Sequence, residues 1–207
     1  ITTSFFTNTS GAYIAALSEG IYNISMSKEG FITHNLEESF NLFSDLNLPS
    51  ITLNSGYSID ISGSIPNGSH WLSDTTYRIL DDITLNSGDT LLIEGGTTIE
   101  FVGEFVFNVY GKLFALGTLQ DSIIFTSGFT EKNPGDWRGI NFTDGSSTGS
   151  LMEYTIIEYG GAGNYDPSLV KIRNSTNFTL NNCTLRYSST NGIWGENNDG
   201  WATLNDC

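Results

Sequence analysis

The stretch FTLNNCTLRYSSTNGIWGENNDGWATLNDC, residues 178–207, decides the fold. Within it Phe178, Leu180, Asn181, Asn182 and Cys183 return as Ala202, Leu204, Asn205, Asp206 and Cys207, each 24 positions later. Apolar residues two apart describe strands with alternate side chains facing in and out, and a repeat of this length with polar turns describes stacked coils.

The recurrence can be followed towards the front of the chain. Ile83 and Leu85 precede Phe107 and Val109 by the same 24 residues, and Ile99 and Phe101 precede Ile123 and Phe125 likewise. The next step, to Ile157 and Tyr159, is 34, which places an insertion in FTEKNPGD, residues 129–136; Leu185 and Tyr187 follow 28 later. A companion column runs from Phe107 and Val109 to Ile140 and Phe142 and on to Val170 and Ile172. A third holds Leu91 and Ile93, Leu113 and Ala115, a member near Leu151, then Phe178 and Leu180, then Ala202 and Leu204. Strands this short cannot close on themselves as hairpins, but they can pair in parallel with the next coil, each coil depending on its neighbours for hydrogen bonds and burial. The spacing therefore predicts an all-β parallel β-helix over 77–207, with three short strands per coil and about five coils, and with insertions confined to the turns.

The segments WLSDTTYRILDDITLNSGDTLLIEGGTTIEF (71–101), GKLFALGTLQDSIIFTS (111–127), GDWRGINF (135–142), YTIIEYGG (154–161) and NGIWG (191–195) resemble the right-handed parallel β-helix repeat proteins that bacteria secrete or display. The resemblance implies the fold and leaves the function open, because this architecture carries lyases, glycosidases, adhesins and inert stalks alike.

The front of the chain reads differently. Tyr22, Ile24 and Met26 alternate between the punctuating Gly11, Gly20 and Gly30, with hairpin-scale gaps. The series Thr7, Gly11, Tyr13, Leu17, Gly20, Tyr22, Gly30 and Phe31 is similar to the carboxypeptidase-regulatory-like domain, a small β-sandwich of prealbumin type. Phe40 with Leu42 and Ile51 with Leu53 would supply its closing strands, and the family's first strand would lie before Ile1. This gives a sandwich over 1–60, a Gly-, Ser- and Pro-rich linker over 61–76, and a β-helix whose last coil is expected to continue past Cys207.

Eight basic residues against 23 acidic ones give a net charge of −15, which argues against nucleic acid or an anionic membrane as partner. No stretch has the apolar length of a membrane span. A secreted or cell-surface protein is expected, contacting an extracellular or cell-surface glycan or copies of itself.

Enzymes of this architecture work from outward strand surfaces, where carboxylates on adjacent coils hold Ca²⁺ or act as acid and base. The columns put Glu100, Ile124, Glu158 and Arg186 outward in one row, and Thr84, Asn108, Asn141 and Lys171 in another, with Asn86, Tyr110, Thr143 and Arg173 beside it. No two carboxylates are adjacent in these rows, and Glu158 with Arg186 reads as an ion pair rather than a catalytic couple. Lys171 and Arg173 share a face that would suit an acidic sugar, and Trp137, Trp194 and Trp201 are candidates for a sugar-stacking platform. Glu196 and Asp199, in GENNDG, are the candidate Ca²⁺ ligands, without the spacing of an EF-hand. His34 and Glu37 have the separation of a zinc pair but no third ligand. Cys183 and Cys207 fall one coil apart in one column, close enough for a disulfide in an oxidising compartment or for a stacked pair of thiols. The balance favours a structural or adhesive β-helix, stalk or glycan-contact surface without catalysis; the rival readings are a polysaccharide lyase or glycoside hydrolase of β-helix type, and a subunit of an extracellular filament.

Overall fold

A computed structural model describes residues 18–22, 25–26, 34–35, 40–42, 57–73, 75–143, 147, 149–163, 167–173, 177–196 and 202–207. The chain divides into two units, Ile1–Asn54 and Ser55–Cys207. In the first, Gly20–Tyr22 pairs antiparallel with Phe40–Leu42, and Ser25–Met26 with His34–Asn35. Ile24, Ile51 and Leu53 lie outside the described residues.

The second unit is a parallel β-helix in which each coil contributes to three faces. Face I carries the first half of Ser58–Ile65 and of Thr76–Leu85, then Thr98–Phe101, Ile123–Ser127, Thr155–Glu158 and Thr184–Arg186. Face II carries the second halves of those two long strands, then Val106–Val109, Gly139–Thr143, Ser168–Arg173 and Asn191–Glu196. Face III is a sheet of six strands, Ser69–Trp71, Thr90–Glu94, Lys112–Leu116, Ser150–Glu153, Phe178–Asn181 and Ala202–Asn205. The two long strands run through the corner between faces I and II and join them into one sheet.

Among the described residues the stack has the five coils expected from residue 77 on and one more before them, so residues 61–76 are not a linker. Ser58–Ile65 pairs with Thr76–Leu85, and Ser69–Trp71 with Thr90–Glu94, so this stretch is most of the first coil. Its Gly, Ser and Pro residues are turn residues: Gly63 and Gly68 hold φ of 69° and 74°, conformations that a Cβ would strain. Ile65 and Trp71, at 3% and 4% exposed, already belong to the core.

Inward rows form one core, with Ile79, Ile83, Leu85, Leu91, Ile93 and their equivalents wholly buried. Each such side chain stabilises the fold by about 1.5–3 kcal/mol over exposure to water. Aromatic residues stack from coil to coil, Trp71 on Tyr77 at 4.5 Å and Phe142 on Phe178 at 4.5 Å.

Three register details depart from the sequence columns. Ile99 pairs with Phe125, and Phe101 with Ser127, so the step on face I is two residues longer than the recurrence and Ile123 extends the strand backwards. A slip of two preserves which side chains face in, so alternation alone cannot detect it. On face III the inward residues of the fourth coil are Ser150 and Met152, whereas Leu151 faces out. Ser150 is tolerated inside because its hydroxyl donates to Ser147 O at 2.7 Å and accepts from Leu113 N at 3.0 Å. Finally, Tyr159 and Tyr187 are not inward residues. They turn the corner between faces I and II in the left-handed region, φ 61° and 54°, and their rings stack at 4.9 Å with Tyr187 54% exposed. Tyr154, Asn182 and Asp206 turn the corner from face III to face I in the same way, with φ of 43°, 52° and 50°.

Candidate functional site

The outward rows are the surface on which a β-helix can do chemistry. On face II, Thr84, Asn108, Asn141, Lys171 and Trp194 stand in register on successive coils. Asn141 Nδ2 donates to Asn108 Oδ1 at 3.3 Å, which fixes the amides as a short ladder. Beside them Thr143, Arg173 and Glu196 are in register. Lys171 and Trp194 are thus adjacent, one coil beyond the point where the columns stop, but Lys171 is only 8% exposed. It serves a ligand poorly as a free cation; Arg173 and Trp194, both partly exposed, are the more accessible members.

Trp137 is no platform at all. It is wholly buried and stacks on Phe101 at 4.0 Å, with an interplanar angle of 8°. The cause is local: Phe101 is followed in its column by the small Ser127, and the inserted loop sends Trp137 inward against Phe101. Its Nε1 donates to Glu158 O at 2.9 Å, which satisfies the buried indole. A Cβ on Gly160 would lie 2.9 Å from the Trp137 ring, so only glycine allows the ring this place. The loop is clamped from outside as well, with Ser127 Oγ donating to Asp136 Oδ2 at 2.5 Å, Asn133 N to the same oxygen at 2.9 Å, and Asp136 N to Tyr159 O at 3.0 Å.

On face I the outward row is Asp60, Arg78, Glu100, Thr126, Glu158 and Arg186. Thr126, not Ile124, is the neighbour of Glu100. Arg78 Nη1 bonds Asp60 Oδ1 at 3.0 Å. Glu158 is the most enclosed carboxylate of the row, its side chain 9% exposed, and both its oxygens are occupied. Oε1 accepts from Thr126 Oγ1 at 2.9 Å, and Oε2 accepts from Arg186 Nε and Nη2, each at 2.7 Å. The bond to Glu158 is the main cause that holds the Arg186 guanidinium above its ordinary range, so this is a fixed charge pair. Lys132, from the inserted loop, donates to Thr126 Oγ1 at 3.1 Å. At the corner leading to face II, Arg138 sits 3.9 Å from Asp82 and 3.6 Å from Glu104, three half-exposed groups. Sequence columns missed this triad because Glu104 and Arg138 lie in turns.

Among the described strand positions, no outward row puts two carboxylates on neighbouring coils. Nor do the described residues contain a cluster of three or more metal-ligating side chains. Of the Ca²⁺ candidates, Asp199 lies outside the described residues, as do Trp201 and Glu37; Glu196 is described through its main chain, paired with Arg173.

Residues 63–173, the stretch that builds these faces, match the family model of the pectate-lyase like beta helix domain. The chain belongs to that family. No curated protein and no solved structure shows a significant match to it. The pectate-lyase-like β-helix marks this chain as a carbohydrate-related β-helix protein, and domains of this kind are typically extracellular. No helix among the described residues is long and apolar enough to cross a membrane.

Two further features of this pectate-lyase-like domain bear on its site. The first is a row that the columns did not single out, on the outside of face III: His70, Leu92, Phe114, Leu151, Thr179 and Thr203 stand in register on successive coils. The signal for it was in the sequence, since Leu92, Phe114 and Leu151 are apolar at positions between inward residues. The second is the cysteine column. The Cys183–Cys207 disulfide is not formed; both thiols are free, Cys183 buried and Cys207 exposed. Each Sγ points at main-chain carbonyls instead, Cys183 to Met152 O and Asn181 O at 3.4 Å, Cys207 to Leu180 O at 3.5 Å and Asn205 O at 3.3 Å. The same carbonyl contact is repeated one coil on, and the Cys207 thiol is also a side-chain hydrogen-bond partner of Cys183.

Proposed function

We propose that this chain is a non-catalytic, glycan-contacting β-helix of the extracellular space or cell surface. The observation that carries the reading is the composition of its outward rows. A lyase or hydrolase needs a metal-binding carboxylate cluster or a carboxyl pair across the scissile bond. Here the enclosed carboxylate Glu158 has both oxygens committed to Thr126 and Arg186, and the described rows carry amides, hydroxyls and single charges instead. Of the 1–60 expected as a carboxypeptidase-regulatory-like sandwich, residues 1–54 lie outside the β-helix unit and keep that reading, supported by the antiparallel pairs Gly20–Tyr22 with Phe40–Leu42 and Ser25–Met26 with His34–Asn35.

The test is incubation of the chain with pectin, alginate and a glycosaminoglycan, following the ultraviolet absorbance of unsaturated uronates and the release of reducing ends. No product from any of them, together with retention on at least one polysaccharide, whether one of these acidic polymers or a neutral one such as xylan, is the expected result. Turnover of any of them would replace the binding role with an enzymatic one.

A further inference from the structure

We propose that the outer surface of face III, along Leu92, Phe114 and Leu151, binds a neutral polysaccharide; this rests on the glycan-contact reading and names the site and sugar class.

Leu92 pairs with Phe114, and Phe114 with Leu151, so three apolar side chains stand side by side on three consecutive coils. Neighbouring parallel strands are about 4.8 Å apart, so the row is continuous. Leu116, one outward position further along the same strand, is 38% exposed and widens it. The outside of a sheet that faces water is ordinarily polar, and a contiguous apolar patch there marks a contact surface. The equivalent row on face II holds Thr84, Asn108, Asn141 and Lys171. Among the described residues, face I has a shorter apolar step, Ile124 beside Ile156.

The polar groups around the row choose the occupant. Glu94 and Glu153 flank Leu116 on the adjoining coils, and the chain carries a net charge of −15. A uronate polymer, a nucleic acid, an anionic bilayer or a second copy would bring negative charge against these carboxylates. A neutral pyranose brings none. It has an apolar C–H face that suits Leu92, Phe114 and Leu151, and a rim of hydroxyls that need acceptors and donors. Thr179 and Thr203 continue the row with hydroxyls, and beside them Glu153 Oε1 accepts from Asn181 Nδ2 at 3.0 Å and Asn205 Nδ2 donates to Asn181 Oδ1 at 2.7 Å, bonds that leave each amide a second hydrogen and each oxygen a second lone pair. At the other end His70 Nε2 lies 2.8 Å from Glu94 Oε1. Lys112, on the outer edge of the same sheet, is a single cation and does not reverse the balance.

The experiment is affinity electrophoresis and pull-down of the full chain with cellulose, xylan and galactomannan as neutral probes, and polygalacturonate and alginate as acidic ones. Retention on a neutral polymer is expected, undiminished in about 0.5 M salt, where exposed charges are screened. It should weaken about tenfold or more in Phe114→Ser, an equilibrium change equivalent to about 1.4 kcal/mol. Leu151→Asn serves as the second variant should Phe114→Ser fold poorly, with an unchanged circular-dichroism spectrum as the control. Neutral binding that survives both substitutions overturns the site while leaving the glycan reading intact. Binding to acidic polymers alone, abolished by salt and by Arg173→Gln, does the same in favour of face II. No retention on any polymer overturns both. Sedimentation showing a dimer that Phe114→Ser dissociates makes the row a protein interface and overturns the sugar assignment.

Discussion

The inward and outward rows of the same strands obey different rules. Along Lys112–Leu116, Leu113 and Ala115 are wholly buried, while Phe114 between them and Leu116 after them point away from the core. The inner residues are required by the stack whatever the protein does, so they report the fold. The outer ones are dispensable to the stack, so their departure from polar character reports contact. Apolar character alone does not separate the two classes; register does.

The largest expected effect is on the inside. Trp137→Ala removes a wholly buried indole that packs on Phe101 and bonds Glu158 O, and should cost about 3–5 kcal/mol, read as a lower urea midpoint. A loss below about 1 kcal/mol would mean that the loop is not inserted in the core. The register of the fourth coil gives a sharper contrast. Met152→Ala should cost about 2–5 kcal/mol, whereas Leu151→Ala, one residue away but on the outer face, should stay near 0.5 kcal/mol. Equal costs for the two would return Leu151 to the interior and remove the row proposed to hold sugar.

Next in size is Glu158, an outward residue that behaves like an inner one. Glu158→Ala leaves the Thr126 hydroxyl and the Arg186 guanidinium without their acceptor and should cost about 1–3 kcal/mol. Arg186→Gln should cost less, about 1 kcal/mol, because Arg186 is half exposed. A double-mutant cycle measures their coupling, and a coupling of zero would make the pair an incidental surface contact.

Much of this was legible from spacing. The apolar alternation in Ile83 and Leu85, Phe107 and Val109, Ile140 and Phe142, and Val170 and Ile172 predicted the face II register residue for residue. The Glu158–Arg186 pair came from the same reading. Face I was displaced by two at Ile123 because a slip of two leaves alternation unchanged, and only hydrogen bonding fixes it. The first coil resembles a linker in sequence because Gly63, Pro66 and Gly68 have linker composition, although tight corners need the same residues. The site was harder. Trp137 looked like an exposed platform in an insertion, and nothing local announces that its ring turns inward; the small Ser127 opposite Phe101 is the one clue. Face III carries no charged cluster to mark it, and its distinguishing outward residues, Leu92, Phe114 and Leu151, are apolar like the core residues beside them.

The cysteine column tests the inner and outer distinction with the smallest effect at neutral pH. Burial is the leading cause that pushes the Cys183 thiol up from 9.0 to about 11, while Cys207, in the same column, is exposed. The thiolate is the nucleophile, so at about pH 8 iodoacetamide should label Cys207 alone in the native chain and both residues in urea. Stability follows the same proton. Between pH 9.0 and about 11 the unfolded chain has released the Cys183 proton and the folded chain keeps it. The unfolded state therefore binds fewer protons, and stability falls as pH rises through that window, by at most roughly 3 kcal/mol for this one group. The contribution is fully present below pH 9.0 and exhausted above about 11. Cys183→Ala should flatten that alkaline decline, while Cys207→Ala should only trim it, because burial pushes the Cys183 thiol up more than Cys207 does. Equal labelling of the two thiols in the native chain, or an alkaline decline indifferent to Cys183→Ala, would place Cys183 at the surface and remove the inward column from Thr97 through Ile123 and Thr155 to Cys183 that the register on face I requires.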